Sequence, residues 1–342
     1  MPSLERNSNR IVIAGASSLL GVELISLLEE SRFAGWDLRL VDEDLAAGTL
    51  VEAAGEPAVI QPVDDDTFRG ARFGFLASSP EFAKRCIGPA HNAGAVVIDL
   101  SGAAFSDSAF GDSGAAAWFP RIEALTGKQI SKELKSYAVL SAAGAGIAGL
   151  ALALSKYGLS RLVAVVNQSV SEAGRAGIEE MEAQAARLLT FQSIGHEIFG
   201  VQTAFNTTPR YGAGSKVDLS RSGKRIQDQV LSLLSEGQRK NISIGAVHSP
   251  VFYGTTFSIC ADLEQRIAPE DIAAACREAG LVVLENDQAG PANVSVAGEE
   301  NIYFAPPRQD ENRPGTWWFW GAADNFRVPA ASAIKLAEKL TS

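Results

Sequence analysis

The stretch RIVIAGASSLLGVELISLLEE, residues 10–30, decides the fold. RIVIA (10–14) is β-like, and LGVELISLLEE (20–30) carries apolar residues at helical spacing. Between them GASSLLG (15–21) is a turn of small residues that opens onto a helix N-terminus. A nucleotide phosphate loop needs that context: small residues for close backbone approach, and first-turn N–H groups to hold the anion. The pattern is GxxSxxG, with Ser18 where a middle glycine would be preferred. The alternative is a plain turn between strand and helix. Gly15, Ser17, Ser18 and Gly21 are therefore candidate cofactor-binding residues.

Outward from this unit the same alternation continues. LRLVD (38–42), FGFLA (73–77) and AVVIDLS (95–101) read as buried strands, and FAKRCIGPAHNAG (82–94) as a helix that ends in Gly94. Short strands alternating with helices imply a doubly wound parallel sheet, with a ligand crevice at the strand C-termini. The second strand ends in VDEDL (41–45), and Asp42 is the residue there best placed to hydrogen-bond an adenosine ribose. An acid in that place repels a 2′-phosphate, so NAD is favoured over NADP; a solvated acidic turn is the other reading.

From about residue 160 the pattern changes. RLVAVVNQSV (161–170) reads as a strand and GIEEMEAQAARLL (177–189) as an amphipathic helix. A polar stretch rich in Gly, Ser and Thr fills about 192–224; ISIGAV (242–247) and VFYGTTFSICADL (251–263) look like antiparallel strands. PEDIAAACREAG (269–280) and VPAASAIKLAEKL (328–340) read as helices, and WWFWGAA (317–323) as a strand. This half is α+β with a mostly antiparallel sheet. At 342 residues, two domains are expected.

Composition narrows the function. A net charge of −10 argues against a nucleic-acid partner or an anionic membrane surface. The polar start, MPSLERNSN, is not followed by the apolar core of a signal peptide, which points to the cytoplasm. Cys86, Cys260 and Cys276 are odd in number and far apart, and His91, His196 and His248 do not cluster, so neither disulfides nor a metal site is expected. None of the five tyrosines has a lysine four residues on, which speaks against a Tyr-x-x-x-Lys dehydrogenase, and no G-x-S-x-G elbow is present.

VLSAAGAGIAGLALAL (139–154) passes from a β-like run through small residues into a helix-like run. Such a platform commonly mounts a nucleophile or binds an anion, yet this one has no cysteine and its only hydroxyl is Ser141.

The order of VIAGASSLLG, GAVVIDLS, SVSEAGRAGIEEMEAQ, SPVFYG and ADNFRVPAASAIKLAEKL resembles the aspartate-semialdehyde dehydrogenase family over nearly the whole length. FGVQTAFNTTP (199–209), HSPVFYG (248–254) and FWGAADNFR (319–327) resemble its divergent Usg-type branch. The resemblance implies a Rossmann-like domain at 1–145 with 324–342, a dimerisation domain at 146–323, and a homodimer. It also implies reductive dephosphorylation of an acyl phosphate by NADPH through a cysteine thiolate, a histidine acid/base and two anion-binding arginines. Aligned on Ile147, the family's Pro-Asn-Cys falls on Ala142, Ala143 and Gly144. The histidine position is Thr255, the arginine positions are His248 and Phe105, and a cofactor-selecting arginine is Leu45. Of the Glu-Glu-x-Lys element only Arg225 keeps a positive charge. Gln168, Asp99, Ser101 and Asn325 match kept positions; Asn325 serves either the nicotinamide site or the fold, as a cap for the last helix. Lost together, the nucleophile, base and anion ligands imply a catalytically degenerate protein with a binding or regulatory role toward a nucleotide or a protein partner. The alternatives are an active dehydrogenase on a different aldehyde or acyl substrate, and a structural subunit of a hetero-oligomer.

Overall fold

From Ile11 on, β1 (Arg10–Ala14) is apolar and buried on both faces, as a central strand of a parallel sheet must be. The computed structural model describes residues 9–43, 48–53, 55–106 and 114–342. In chain order there follow α1 (Leu19–Glu29), β2 (Asp37–Asp42), the hairpin β3 (Leu50–Ala53) and β4 (Glu56–Val59), β5 (Gln61–Pro62), β6 (Phe73–Leu76), α2 (Pro80–Asn92), β7 (Val96–Asp99), α3 (Ala103–Ser106) and β8 (Ala116–Trp118). After α4 (Ile122–Thr126) comes β9 (Ser136–Val139). The first sheet runs β5-β2-β1-β6-β7-β9-β8, and all its pairings are parallel. This is the doubly wound sheet expected.

Two compact units result. The first takes the described residues through Pro120 with Gln129–Leu140 and Pro329–Ser342; the second takes Arg121–Lys128 and Ser141–Val328. Most of the last helix, α10 (Arg327–Thr341), thus belongs to the first unit, where Ala333, Leu336 and Ala337 are fully buried and the Trp118 indole N–H donates to the Ser332 carbonyl.

In the second unit, α5 (Ala142–Ser155) is apolar nearly all round and accordingly central. It is followed by β10 (Leu159–Gln168), α6 (Gly174–Leu189), α7 (Leu219–Leu233), α8 (Glu236–Arg239), β11 (Ile242–His248), β12 (Thr255–Leu263), α9 (Pro269–Glu278), β13 (Val282–Val283), β14 (Tyr303–Phe304), β15 (Arg308–Gln309) and β16 (Thr316–Ala323). The sheet order is β11-β10-β12-β16-β14-β13, with β15 on β16. Most pairings are antiparallel, but ISIGAV is not: β11 runs parallel to β10. The crossover between them passes through α6 and α7, and a connection of that length brings the chain back in the same direction. Within the polar stretch α7 begins at Asp218, whose carboxylate caps the N–H of Ser220 and Arg221; its buried face is Leu219, Gly223, Ile226, Gln229 and Val230. The strand reading from 251 starts instead at Thr255.

Side chains of this sheet alternate. Leu162, Ala164 and Val166 of β10 and Phe257 and Ile259 of β12 point to the helices and are buried. The opposite face carries Val163, Val165, Val247, Ser258 and Cys260, together with Trp318 and Trp320, which are 36% and 40% exposed. Both indoles are pinned, Trp318 Nε1 to Asp310 and Trp320 Nε1 to the Pro291 carbonyl. Among the described residues no helix is long and apolar enough to cross a membrane, and no group of three His, Cys, Asp or Glu could hold a metal.

Candidate functional sites

In the first unit the β1–α1 turn is built for close approach. Gly15 adopts φ +98°, a backbone that other residues rarely take. A Cβ on Gly21 would run into the Gly15 carbonyl and lie 2.9 Å from Ala16 Cα. Ser18 is the N-cap of α1: its hydroxyl accepts from Gly21 N–H at 2.9 Å and donates to the Ala77 carbonyl at 2.7 Å. The side chain that replaces a middle glycine is thus folded back onto the protein. With two glycines and a helix N-terminus whose cap is turned inward, this loop fits the close approach of a dinucleotide phosphate.

Asp42 ends β2 as expected and is 4% exposed. Its Oδ2 accepts from Ser17 N–H at 2.9 Å and Ser17 Oγ at 2.6 Å, and its Oδ1 from Glu43 N–H at 2.8 Å. The carboxylate clamps the turn and keeps one further acceptor site on Oδ1. Leu45, the position of the cofactor-selecting arginine, lies outside the described residues. Asp99 is fully buried; its Oδ1 accepts from Ser101 N–H and Oγ and its Oδ2 from Ala104 N–H, which shapes the turn after β7. Phe105, half-buried on α3, also belongs to the first unit.

In the second unit a cavity of about 20 Å³ lies at the N-terminus of α5. Ser141, Ala142 and Ala143 form one wall; Gln168 and Thr255, directly paired across β10 and β12, form another; Glu172, Arg225 and Asn325 complete it. Ser141 caps the helix, accepting from Gly144 N–H at 3.2 Å. Its own hydroxyl and N–H both donate to Gln229 Oε1, at 2.7 and 3.2 Å. That oxygen occupies the space where a Cβ at Gly144 would stand. None of the three cysteines lines the cavity.

Of the positions singled out in sequence, Thr255 lines the cavity, and its hydroxyl makes only a long bond, 3.4 Å, to the Asn167 carbonyl. Gly144 is one residue beyond the wall. His248 is fully buried, packed against Phe199 and Tyr211. Its Nε2 lies 3.2 Å from the Thr203 carbonyl and its Nδ1 3.4 Å from the Tyr211 hydroxyl. Burial holds its pKa below the ordinary imidazole value, against the raising effect of the Thr203 carbonyl. A neutral core histidine is the result.

Asn325 is not a helix cap. Asp324 receives the N–H groups of Phe326 and Arg327 at the entry to α10, whereas Asn325 Oδ1 accepts from Gly254 N–H at 2.8 Å and its Nδ2 donates to Ser171 and Glu172. The Arg225 guanidinium stands 3.8 Å from the Glu172 carboxylate. Sequence reasoning missed Gln229. The one available signal was a glutamine in register with Ile226 and Val230 on the apolar face of a helix.

Two domains of known proteins match the chain: the semialdehyde dehydrogenase NAD binding domain over residues 10–149 and the semialdehyde dehydrogenase dimerisation domain over 147–328. A USG-1 protein homolog of Azotobacter vinelandii is 27% identical over 338 residues, covering 96% of this chain and 97% of that one. The aspartate-semialdehyde dehydrogenase of Shewanella violacea is 25% identical with the same coverage. The crystal structure of aspartate semialdehyde dehydrogenase II from Vibrio cholerae in complex with ASA superposes with a TM-score of 0.82 at 22% identity, covering 98% of each chain.

Proposed function

The chain belongs to the semialdehyde dehydrogenase family, and on that premise we propose that it is a member that has given up reductive dephosphorylation and kept binding. One observation carries this reading: the Gln229 oxygen sits where a side chain at Gly144, the position aligned with the family's thiolate, would have to begin. The other losses point the same way. Thr255 does not titrate near neutrality and cannot replace an acid/base histidine. His248 cannot grip a carboxylate from inside the core, and Arg225 stands beside a glutamate. Ser141 has no base to activate it; its hydroxyl proton is given to an amide oxygen. Removing a nucleophile alone costs on the order of 10⁶ in kcat, so losing several of these groups together is not made good by one hydroxyl.

A nicotinamide dinucleotide, when bound, supplies hydride chemistry. Here the turn of Gly15, Ser17, Ser18 and Gly21 would hold its phosphates, and Asp42 would face its ribose and favour NAD over NADP; Asn325, whose amide is spent on Gly254, Ser171 and Glu172, serves the fold of the second unit. The second unit pairs two copies of the chain through the open sheet face, where two pinned indoles and three valines offer rigid apolar anchors. The protein works in the cytoplasm as a homodimer.

The test is absorbance at 340 nm with purified protein, NAD or NADP, inorganic phosphate and aspartate semialdehyde. No phosphate-dependent change is expected. Turnover within about a hundredfold of an ordinary kcat of ~10 s⁻¹ would overturn the reading.

A further inference from the structure

We propose that the outer face of α6 docks a second copy of this chain, with the two α6 helices antiparallel. The contact uses no strand residue, so it goes beyond the pairing through the open sheet face and does not depend on it.

The helix has a packed side and an open one. Gly177, Met181 and Gln184 are buried. On the other side Ala176, Ala183 and Thr190 are exposed, and their spacing of seven, about two turns, sets them in one line. A line of small side chains lets two helices approach to about 8 Å between axes, the near end of the usual range.

Small residues alone select no partner; the charges beside them do. Glu179 lies four residues before Ala183 and Arg187 four after, and both are exposed. Among the described residues neither has an ionic partner, although Arg175 stands four residues before Glu179; the Arg187 guanidinium donates to the Ser193 carbonyl at 3.2 Å. A two-fold axis at Ala183 brings Glu179 of one copy level with Arg187 of the other, at both ends of the contact. Ala176 then meets Thr190, and Ala183 meets itself. A parallel pair would set Glu179 against Glu179 and Arg187 against Arg187. The charge pattern thus complements its own antiparallel image, which is the condition of an isologous two-fold contact.

The end of the helix agrees. Phe191 is 99% exposed and follows the C-cap Thr190 with φ +57°, a left-handed place where glycine is preferred. A ring held in water there gives the isolated chain nothing. In the antiparallel pair it comes level with Arg175 of the second copy, whose guanidinium can cover it.

Disulfide trapping tests the register. One helix pair is small beside the roughly 1,200–2,000 Å² of a stable interface, so a covalent trap reads it better than sedimentation does. The full-length protein carries Cys260→Ser, which leaves only the buried Cys86 and Cys276. Under mild oxidation Ala183→Cys should form a linked dimer at least about tenfold faster than Ala176→Cys, because only position 183 faces its own copy. A mixture of Ala176→Cys and Thr190→Cys proteins should link at least about tenfold faster than either alone. Adding Glu179→Arg to Ala183→Cys should slow linking at least about threefold, and adding Arg187→Glu as well should bring it back. All four positions on α6 are exposed, and unchanged circular dichroism checks the fold. Equal rates for the 176 and 183 variants, a mixture no faster than its components, or a charge reversal that the second change fails to restore would each overturn the proposal. The sheet-face pairing is judged separately, by sedimentation.

Discussion

A cysteine placed at position 144 meets a buried amide oxygen. Gln229 is 2% exposed and held by Ser141, so it must leave its two hydrogen bonds before a new side chain can enter. Gly144→Cys should therefore cost about 1–3 kcal/mol, the range for overpacking, read as a lower urea midpoint at unchanged slope, and should restore no reductase activity. Robust activity from this variant would show that a working site survives in other residues. His248 gives a second test at this scale. Burial depresses its folded pKa, so the unfolded chain takes up the proton more readily. Its contribution is fully present above the unfolded value of about 6.5 and is lost as pH falls toward the lower folded value. His91, depressed by burial and Lys135, acts in the same direction. Urea unfolding at pH 7.5 and pH 5 should show the loss, and His248→Gln should make it smaller.

The β1–α1 unit was legible because every cue in it agreed: an apolar run, two glycines at close contacts and a helix start. What Asp42 does with its carboxylate was not. A sequence gives the acid at the end of β2 but not that Ser17 and Glu43 fill most of its acceptors. Calorimetry should show NAD binding at least about tenfold more tightly than NADP, as a charged contact changes affinity. Asp42→Ala should narrow that gap while weakening both, since the Ser17 tether goes with it. A clear NADP preference would refute the assignment of this turn. Elsewhere the direction of β11 was hidden, because side-chain alternation is the same for parallel and antiparallel neighbours. The helix α7 was hidden by its composition: LSRSGKRIQDQVLSL joins serines and a glycine to a narrow apolar face, and packing overrides weak propensity there. The capping role was displaced by one residue, from Asn325 to Asp324, a distinction that lies in side-chain direction alone.

For the whole molecule, a mostly antiparallel second sheet was expected, but not the split into a buried face and an open one that carries Trp318 and Trp320. If two copies meet there, Val165→Lys or Trp320→Glu should convert a dimer into monomers in sedimentation velocity runs, without changing far-ultraviolet circular dichroism. Cys260, half-exposed on the same face, should be alkylated faster in such a variant than in the parent protein. A parent protein that sediments as a monomer at micromolar concentration would remove this interface. The short segment Arg121–Lys128 that joins the second unit had no mark in the sequence, since its placement depends on contacts made by distant residues.

The seat of Gln229 gives the site a direction in time. A single codon change can return a thiol to position 144, but the chain that receives it inherits a collision as well as a nucleophile. The return is resisted through position 229, whose amide must swing aside and leave Ser141 without its acceptor. The two positions therefore act as a pair. Their energies should be coupled, so that Gln229→Ala with Gly144→Cys is less destabilised than the sum of the separate changes, by roughly 0.5–3 kcal/mol in a double-mutant cycle.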